Sequence, residues 1–228
     1  MEQKINYQKK LDDLLAKLAS GGEGSKPSLL LHACCGPCSS YVLEYISKYF
    51  QITVLYYNRN IYPQAEYERR LAELKKLYEH FPPAIDTGVK LVECEYDPEQ
   101  FYAAVGVRDQ PELASEPEKG ERCCRCYKFR LQRAYDYAAA NNFDYFCTSL
   151  SISPFKDVVK INELGAEIER AQLAGAELSE PPAKSPKWLF SDFKKKGGFK
   201  RSLELSEEYG MYRQTYCGCV YSMNTSNK

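Results

Sequence analysis

The sequence predicts an α/β fold built on a parallel sheet, and three observations carry that prediction. Leu29-Leu30-Leu31 is a short, wholly apolar run, the pattern of a strand buried on both faces. Three further short runs, at 52–57, 90–96 and 143–149, alternate with longer stretches that suit helices. The resulting order, β-α-β-α-β-α-α-β-α, belongs to helices layered on a parallel sheet.

Each element follows from local chemistry. Residues 5–18 carry Leu11, Leu14, Leu15 and Leu18 at helical spacing, and the Gly- and Ser-rich stretch 20–27 reads as a loop or linker. After the first strand, 39–50 reads as a helix and 52–57 as the second strand. A long helix covers 63–80, with Pro63 near its first turn. Beyond the third strand, Asp97-Pro98 has the form of an N-cap followed by Pro at the first helical position. Residues 123–142 place Leu131, Tyr135 and Ala138 on one side of a further helix, the fourth strand follows at 143–149, and a helix spans 155–174. Such sheets bind ligands beyond the carboxyl ends of their strands, near the point where strand order reverses. A cysteine motif after the first strand and the segment 148–154 after the fourth both reach that edge.

At 228 residues and 44% apolar, the chain suits one sizeable domain with a real core. Its 31 basic and 31 acidic residues cancel, so no global field draws it to nucleic acid or membrane, while a local basic patch stays open. The start, Met1-Glu2-Gln3-Lys4, is polar, and no apolar run approaches membrane-spanning length. No secretory signal and no membrane partner are expected. The expected compartment is the cytoplasm, where thiols stay reduced, so ten cysteines point to metal ligation or redox chemistry rather than to a disulfide scaffold.

Eight of those cysteines fall in three tight groups: Cys34-Cys35-Gly36-Pro37-Cys38, Cys123-Cys124-Arg125-Cys126 and Cys217-Gly218-Cys219. Cys123 and Cys126, three residues apart at the start of a helix, share one face, and the helix N-terminus favours thiolates. Cys124 points elsewhere. Cys34 and Cys35 can converge on one centre only where the backbone turns, which Gly36-Pro37 allows. Two pairs give four soft ligands, enough for tetrahedral zinc or a four-cysteine iron–sulfur cluster. A structural zinc would more commonly close CxxC knuckles away from strand ends, so the spacing favours iron–sulfur. Cys38 is open to three readings: a fifth ligand, a ligand to a second metal, or an inert thiol. Cys217-Gly218-Cys219 favours a redox dithiol, with a metal half-site or chance as alternatives. Cys94 and Cys147 read as ordinary buried strand residues.

Other residues carry less. His32 reads as a satisfied structural histidine, with a hydrogen bond to a thiolate as the alternative. His80 carries no functional signal. Lys156, Asp157 and Asp192 could face a pocket, but read first as solvated surface charges. The stretch from 181 to 201 interleaves Lys184, Lys187, Lys194, Lys195, Lys196, Lys200 and Arg201 with Trp188, Phe190, Phe193 and Phe199. That mixture suits either a nucleic-acid contact surface or a solvated loop with aromatic anchors.

Five blocks together resemble one family. They are His32 to Ser39, Glu121 to Tyr127, Ser151-Ile152-Ser153-Pro154-Phe155-Lys156, Asp192-Phe193-Lys194-Lys195 and Tyr212 to Cys219. The chain is similar to the QueH-type, cobalamin-independent epoxyqueuosine reductases. The resemblance divides the chain into an N-terminal helix and linker at 1–27, one α/β domain at 28–222 and a tail at 223–228. It implies a Rossmann-like fold of the HUP, or adenine-nucleotide-hydrolase-like, kind, with the cysteine motif in place of the phosphate loop. The implied reaction is two-electron removal of the epoxide oxygen of epoxyqueuosine at the wobble position of tRNAs for Asp, Asn, His and Tyr. An electron donor is implied as partner. By position, Cys34, Cys35, Cys123 and Cys126 would hold a [4Fe–4S] cluster, and Cys217 with Cys219 would form a redox-active disulfide. Some relatives carry Asp where this chain has Cys38 and are described with an additional mononuclear iron, which Cys38 would ligate here. Two rivals are an ATP-using tRNA thiolation enzyme of the PP-loop class and a zinc-binding nucleic-acid module. The first needs a Gly- and Ser-rich phosphate loop, where this chain has Cys-Cys-Gly-Pro-Cys.

Overall fold

Leu29, Leu30 and Leu31 are wholly buried in a central strand, β1 (Ser28–His32), which pairs in parallel with a strand on either side. The computed structural model describes residues 5–21, 25–176 and 184–223. The linker residues 22–24 and the tail residues 224–228 lie outside the described residues.

Around β1 stand β2 (Gln51–Tyr56), β3 (Lys90–Glu93), β4 (Tyr145–Thr148) and β5 (Lys187–Trp188). Their spatial order is β3-β2-β1-β4-β5, and every pairing is parallel. The chain builds outward from β1 through β2 to β3, then crosses back to β4. The reversal therefore falls between β1 and β4, where a crevice opens beyond the strand ends. His32 pairs with Thr148 in register at that edge.

The helices are α1 (Tyr7–Ser20), α2 (Gly36–Ile46), α3 (Gln64–His80), α4 (Pro82–Ile85), α5 (Pro98–Val105), α6 (Glu121–Ala140), α7 (Val158–Ala176), α8 (Gly198–Glu208) and α9 (Val220–Met223). On α6, Cys123, Cys126, Tyr127, Arg130, Leu131, Ala134, Tyr135 and Ala138 are buried, a stripe at helical spacing. Most of that stripe is core. Its N-terminal end is made of thiols and an arginine. Leu11 and Leu15 of α1 join the main core.

Several expectations need correction. The second helix starts at Gly36 rather than 39, so Cys38 rides on its first turn and Pro37 occupies an N-terminal position where no N–H is required. The third strand stops at Glu93, leaving Cys94 half-buried beyond its end, whereas Cys147 is fully buried in β4. Asp157 Oδ1 accepts from the N–H groups of Val159 and Lys160, so α7 begins after Asp157 and Lys156 stays in the preceding loop. A fifth strand, β5, lies where only a Lys- and aromatic-rich segment was expected. Two residues are too few for a periodicity signal. Gly165 makes room for it: a Cβ there would stand 2.2 Å from the Trp188 ring.

The same segment settles its aromatic residues. Trp188 and Phe193 are core, and Phe190 stacks on Tyr7. Its cations are largely paired: Lys184 with Asp144, Lys194 with Asp192, Lys196 with Asp12 and Arg201 with Glu44. Asp192 is buried rather than solvated, because it turns toward Lys194. No helix among the described residues is long and apolar enough to cross a membrane.

Candidate metal centre

The sulfurs of Cys34, Cys35 and Cys38 all lie within 4.8 Å of one another. The reason is local. Cys35 is extended at the N-cap of α2, the helix turns at once, and Cys38 comes back over the two thiols at the end of β1. The Cys34 and Cys35 sulfurs are 3.7 Å apart. A hydrogen bond from Cys35 holds Cys34 well below the ordinary thiol range, and its bond to Cys34 pushes Cys35 up to about 12.

Cys123 and Cys126 sit in the first two turns of α6, both buried. They lie outside the three-sulfur group. Burial raises both, Cys126 to about 11, while the charge of Arg130 works in the opposite direction on Cys126. Cys124 is half-buried, with the Lys119 carbonyl at 4.0 Å from its sulfur.

The third group arrives from the C-terminus. Residues 211–219 are strapped to α3 and the turn before it. Arg70 donates to the carbonyls of Cys217 and Tyr216 at 3.2 and 3.4 Å. The N–H of Tyr62 donates to the Gly218 carbonyl at 2.8 Å, and Tyr216 Oη donates to the Tyr62 carbonyl. Gly218 has φ +122° and a Cβ would meet Arg70 Nη1 at 3.0 Å, so glycine suits this position on both counts. Cys217 and Cys219 are free thiols here. Cys219 packs in a small apolar cluster with Phe101, Val105 and Cys126.

One cavity joins the first and third of these groups, while Cys123 and Cys126 lie outside its lining. Its volume is about 490 Å³, and Cys34, Cys38, Cys217, Arg130, Lys156 and Gln214 line it, with Phe155 and Phe199 among the apolar walls. That size suits a ligand of nucleoside scale. Phe155 is 64% exposed at this cavity, an unusual position for a large apolar ring. Gln214 Nε2 donates to Cys35 Sγ at 3.1 Å, and Gln214 Oε1 is buried with no hydrogen-bond partner among the described residues.

Three buried cations surround the thiols. Arg70 pairs with Glu66 at 2.7 Å. Arg130 is fully buried, donates to Asn58 Oδ1 at 2.6 Å and His32 Nε2 at 3.2 Å, and has no carboxylate partner among the described residues. Lys156 Nζ lies 2.6 Å from Cys217 Sγ. Burial alone would push the Lys156 ammonium down, but the adjacent Cys217 holds it up. His32 is wholly buried and donates or accepts at Thr148 Oγ1 over 2.8 Å; burial first, then the charge of Arg130, lowers it to about 3. It is a neutral support for Arg130. Buried cations are costly without anions nearby. Soft thiol donors beside three buried positive charges fit an anionic, thiolate-bound metal cluster.

Lys156, Arg130 and Gln214 were not singled out by sequence as working residues, and Lys156 was expected to be solvated. Arg130 had a legible signal: it lies four residues after Cys126 and seven after Cys123, hence on the same helical face. Lys156 had none, because its partner is 61 residues away.

The chain matches the family model described as Epoxyqueuosine reductase QueH over residues 29–225. The Epoxyqueuosine reductase QueH of Streptococcus pyogenes serotype M1 is 39% identical over 220 residues, covering 96% of this chain and 79% of the relative. The protein of that name from Staphylococcus epidermidis is 37% identical over 220 residues, covering 96% and 85%. That from Thermotoga maritima is 33% identical over 199 residues, covering 86% and 90%. Among solved structures, the U34-tRNA thiolase NcsA from Methanococcus maripaludis with its [4Fe–4S] cluster is similar at a TM-score of 0.46 and 11% identity, covering 96% of this chain and 70% of that one. With its family model matched over residues 29–225, and relatives at this identity covered over most of their length, the protein belongs to the QueH family of epoxyqueuosine reductases.

Proposed function

We propose that this protein removes the epoxide oxygen of epoxyqueuosine at the wobble position of tRNA, giving queuosine, in the cytoplasm. The tRNAs for Asp, Asn, His and Tyr are the proposed substrates, and a separate electron donor restores the reduced state. The observation that carries this reading is the cavity in which Cys34, Cys38 and Cys217 meet beside Arg130 and Lys156. Family membership names the chemistry that such a cavity would perform.

Cys34, Cys35, Cys123 and Cys126 are the proposed ligands of a [4Fe–4S] cluster, with Cys38 available to a further iron. Bound there, the group would supply electrons and a Lewis-acidic iron for the epoxide oxygen. The chain's own residues do the rest. Arg70 and Arg130 balance thiolate charge in a dry setting. Phe155 and Phe199 offer faces on which a base can stack. Gln214 Oε1 offers an acceptor to a substrate N–H or O–H. Cys217 and Cys219 serve as a dithiol that gives two electrons on closing to a disulfide.

Reduced, anaerobically prepared protein incubated with epoxyqueuosine-containing tRNA tests the reading. Mass spectrometry of the released nucleosides should show loss of one oxygen atom. A protein that carries zinc alone, with no iron or sulfide, and leaves the nucleoside intact would overturn it.

A further inference from the structure

The two thiols of the C-terminal pair stand in opposite surroundings. Cys217 lines the cavity and has Lys156 Nζ at 2.6 Å. Cys219 does not line it; it sits against Phe101 and Val105, with the Ser222 hydroxyl at 3.6 Å from its sulfur. Lys156 is only 8% exposed; the Glu118 carboxylate of the same cavity wall acts on it, but among the described residues it forms no salt bridge with a carboxylate. A buried ammonium needs a counter-charge, and the adjacent sulfur is the group placed to provide it.

We propose that Lys156 is a positioning residue that holds Cys217 as the thiolate of the Cys217–Cys219 pair. The destination of the electrons rests on the reductase reading above. Closing the disulfide joins the Cys217 thiolate to the Cys219 thiol, forms one S–S bond, and releases two electrons and the Cys219 proton. Two electrons and one proton leave the pair. Turning an epoxide into an alkene and water takes those two electrons and two protons, one from Cys219 and one from solvent: both C–O bonds break, the C=C bond forms, and the oxygen departs as water.

Other charged and titratable groups face Cys217. Arg130, Cys123, Cys126 and Tyr127 approach from α6, Cys219 from its own segment, and Arg70 of α3 holds its carbonyl. A hydrogen bond from Cys219 lowers Cys217 first; burial opposes, and the Lys156 charge lowers it further. Arg130 acts in the same direction and stays constant when Lys156 is replaced.

The test needs no substrate. Anaerobic holoenzyme is alkylated with iodoacetamide from about pH 5 to about pH 10, and the Cys217 peptide is followed by mass spectrometry. Wild-type Cys217 should titrate below the ordinary thiol value of about 8.5. Lys156→Gln should raise that midpoint and slow alkylation at neutral pH by about tenfold or more, whereas Lys156→Arg, which keeps the charge, should follow wild type. An ordinary midpoint for wild-type Cys217, or a Lys156→Gln titration identical to wild type, would overturn the proposal. A protein that meets these expectations yet never deoxygenates its tRNA refutes the reductase reading and leaves the ion pair supported.

Discussion

Gln214 Nε2 donates to Cys35 Sγ over 3.1 Å, joining two segments 179 residues apart in sequence. The same side chain leaves Oε1 buried and unpartnered among the described residues, at the wall of the cavity. A buried acceptor without a donor is unfavourable, so a substrate donor would relieve it. Gln214→Leu should therefore lower kcat/KM for epoxyqueuosine tRNA by about tenfold, the worth of one hydrogen bond. Steady-state kinetics on anaerobic protein with unchanged iron content would check this.

The cysteines divide into those that should hold metal and those that should not. Single Ser substitutions at Cys34, Cys35, Cys123 or Cys126 should each lower iron and acid-labile sulfide sharply. Ser at Cys124 or Cys147 should leave both intact, because Cys124 lies away from the cavity and Cys147 is packed in β4. Cys38→Ser decides between readings of that thiol: loss of part of the iron with sulfide unchanged would mark a separate iron. Loss of iron on Cys217→Ser would instead make the C-terminal pair ligands.

Arg130 gives a test through stability. Its guanidinium is buried without a carboxylate partner among the described residues, so it depends on thiolates or on the anionic group they hold. Chelating the iron under anaerobic conditions should destabilise the wild type by about 3–5 kcal/mol, the scale of an orphaned buried charge. In Arg130→Met the same treatment should cost clearly less. Denaturant titrations of the four states measure the difference; equal losses would show that Arg130 does not sense the centre.

Asp144 ties the head of β1 to β4. Its Oδ2 accepts from Ser28 N–H and Oγ, each at 2.8 Å, and Lys184 pairs with its Oδ1. Burial alone would raise this carboxyl, but Lys184 and Ser28 bring it below the ordinary value. A depressed carboxyl adds stability above its unfolded pKa, and that stability is lost as pH falls through the folded one. Thermal melts should thus show Asp144→Asn less stable than wild type at neutral pH, with the gap closing as pH falls below about 4.

Much of the architecture was legible because it is written in short-range patterns. The apolar run at Leu29 to Leu31 marks a strand buried on both faces, and Asp97-Pro98 starts α5 as its chemistry suggests. The stripe on α6 and the thiol groups after β1 and at the start of α6 could be read from spacing alone. β5 escaped notice because two residues carry no period, and its place depends on β4 and on the space above Gly165. The aromatic residues from 188 to 199 could not be assigned from composition, since core anchors and stacking platforms use the same side chains.

The sequence by itself determined the parallel α/β frame, the thiol groups and the family whose chemistry they serve. Tertiary structure decided which of these groups meet. Lys156 finds Cys217, Gln214 finds Cys35, and Arg130 comes to lie among thiols and His32, through contacts that span from 61 to 179 residues. Local patterns encode faces and turns. The pairing of buried charges depends on where the folded chain excludes water, and that is a property of the packed sheet edge between β1 and β4.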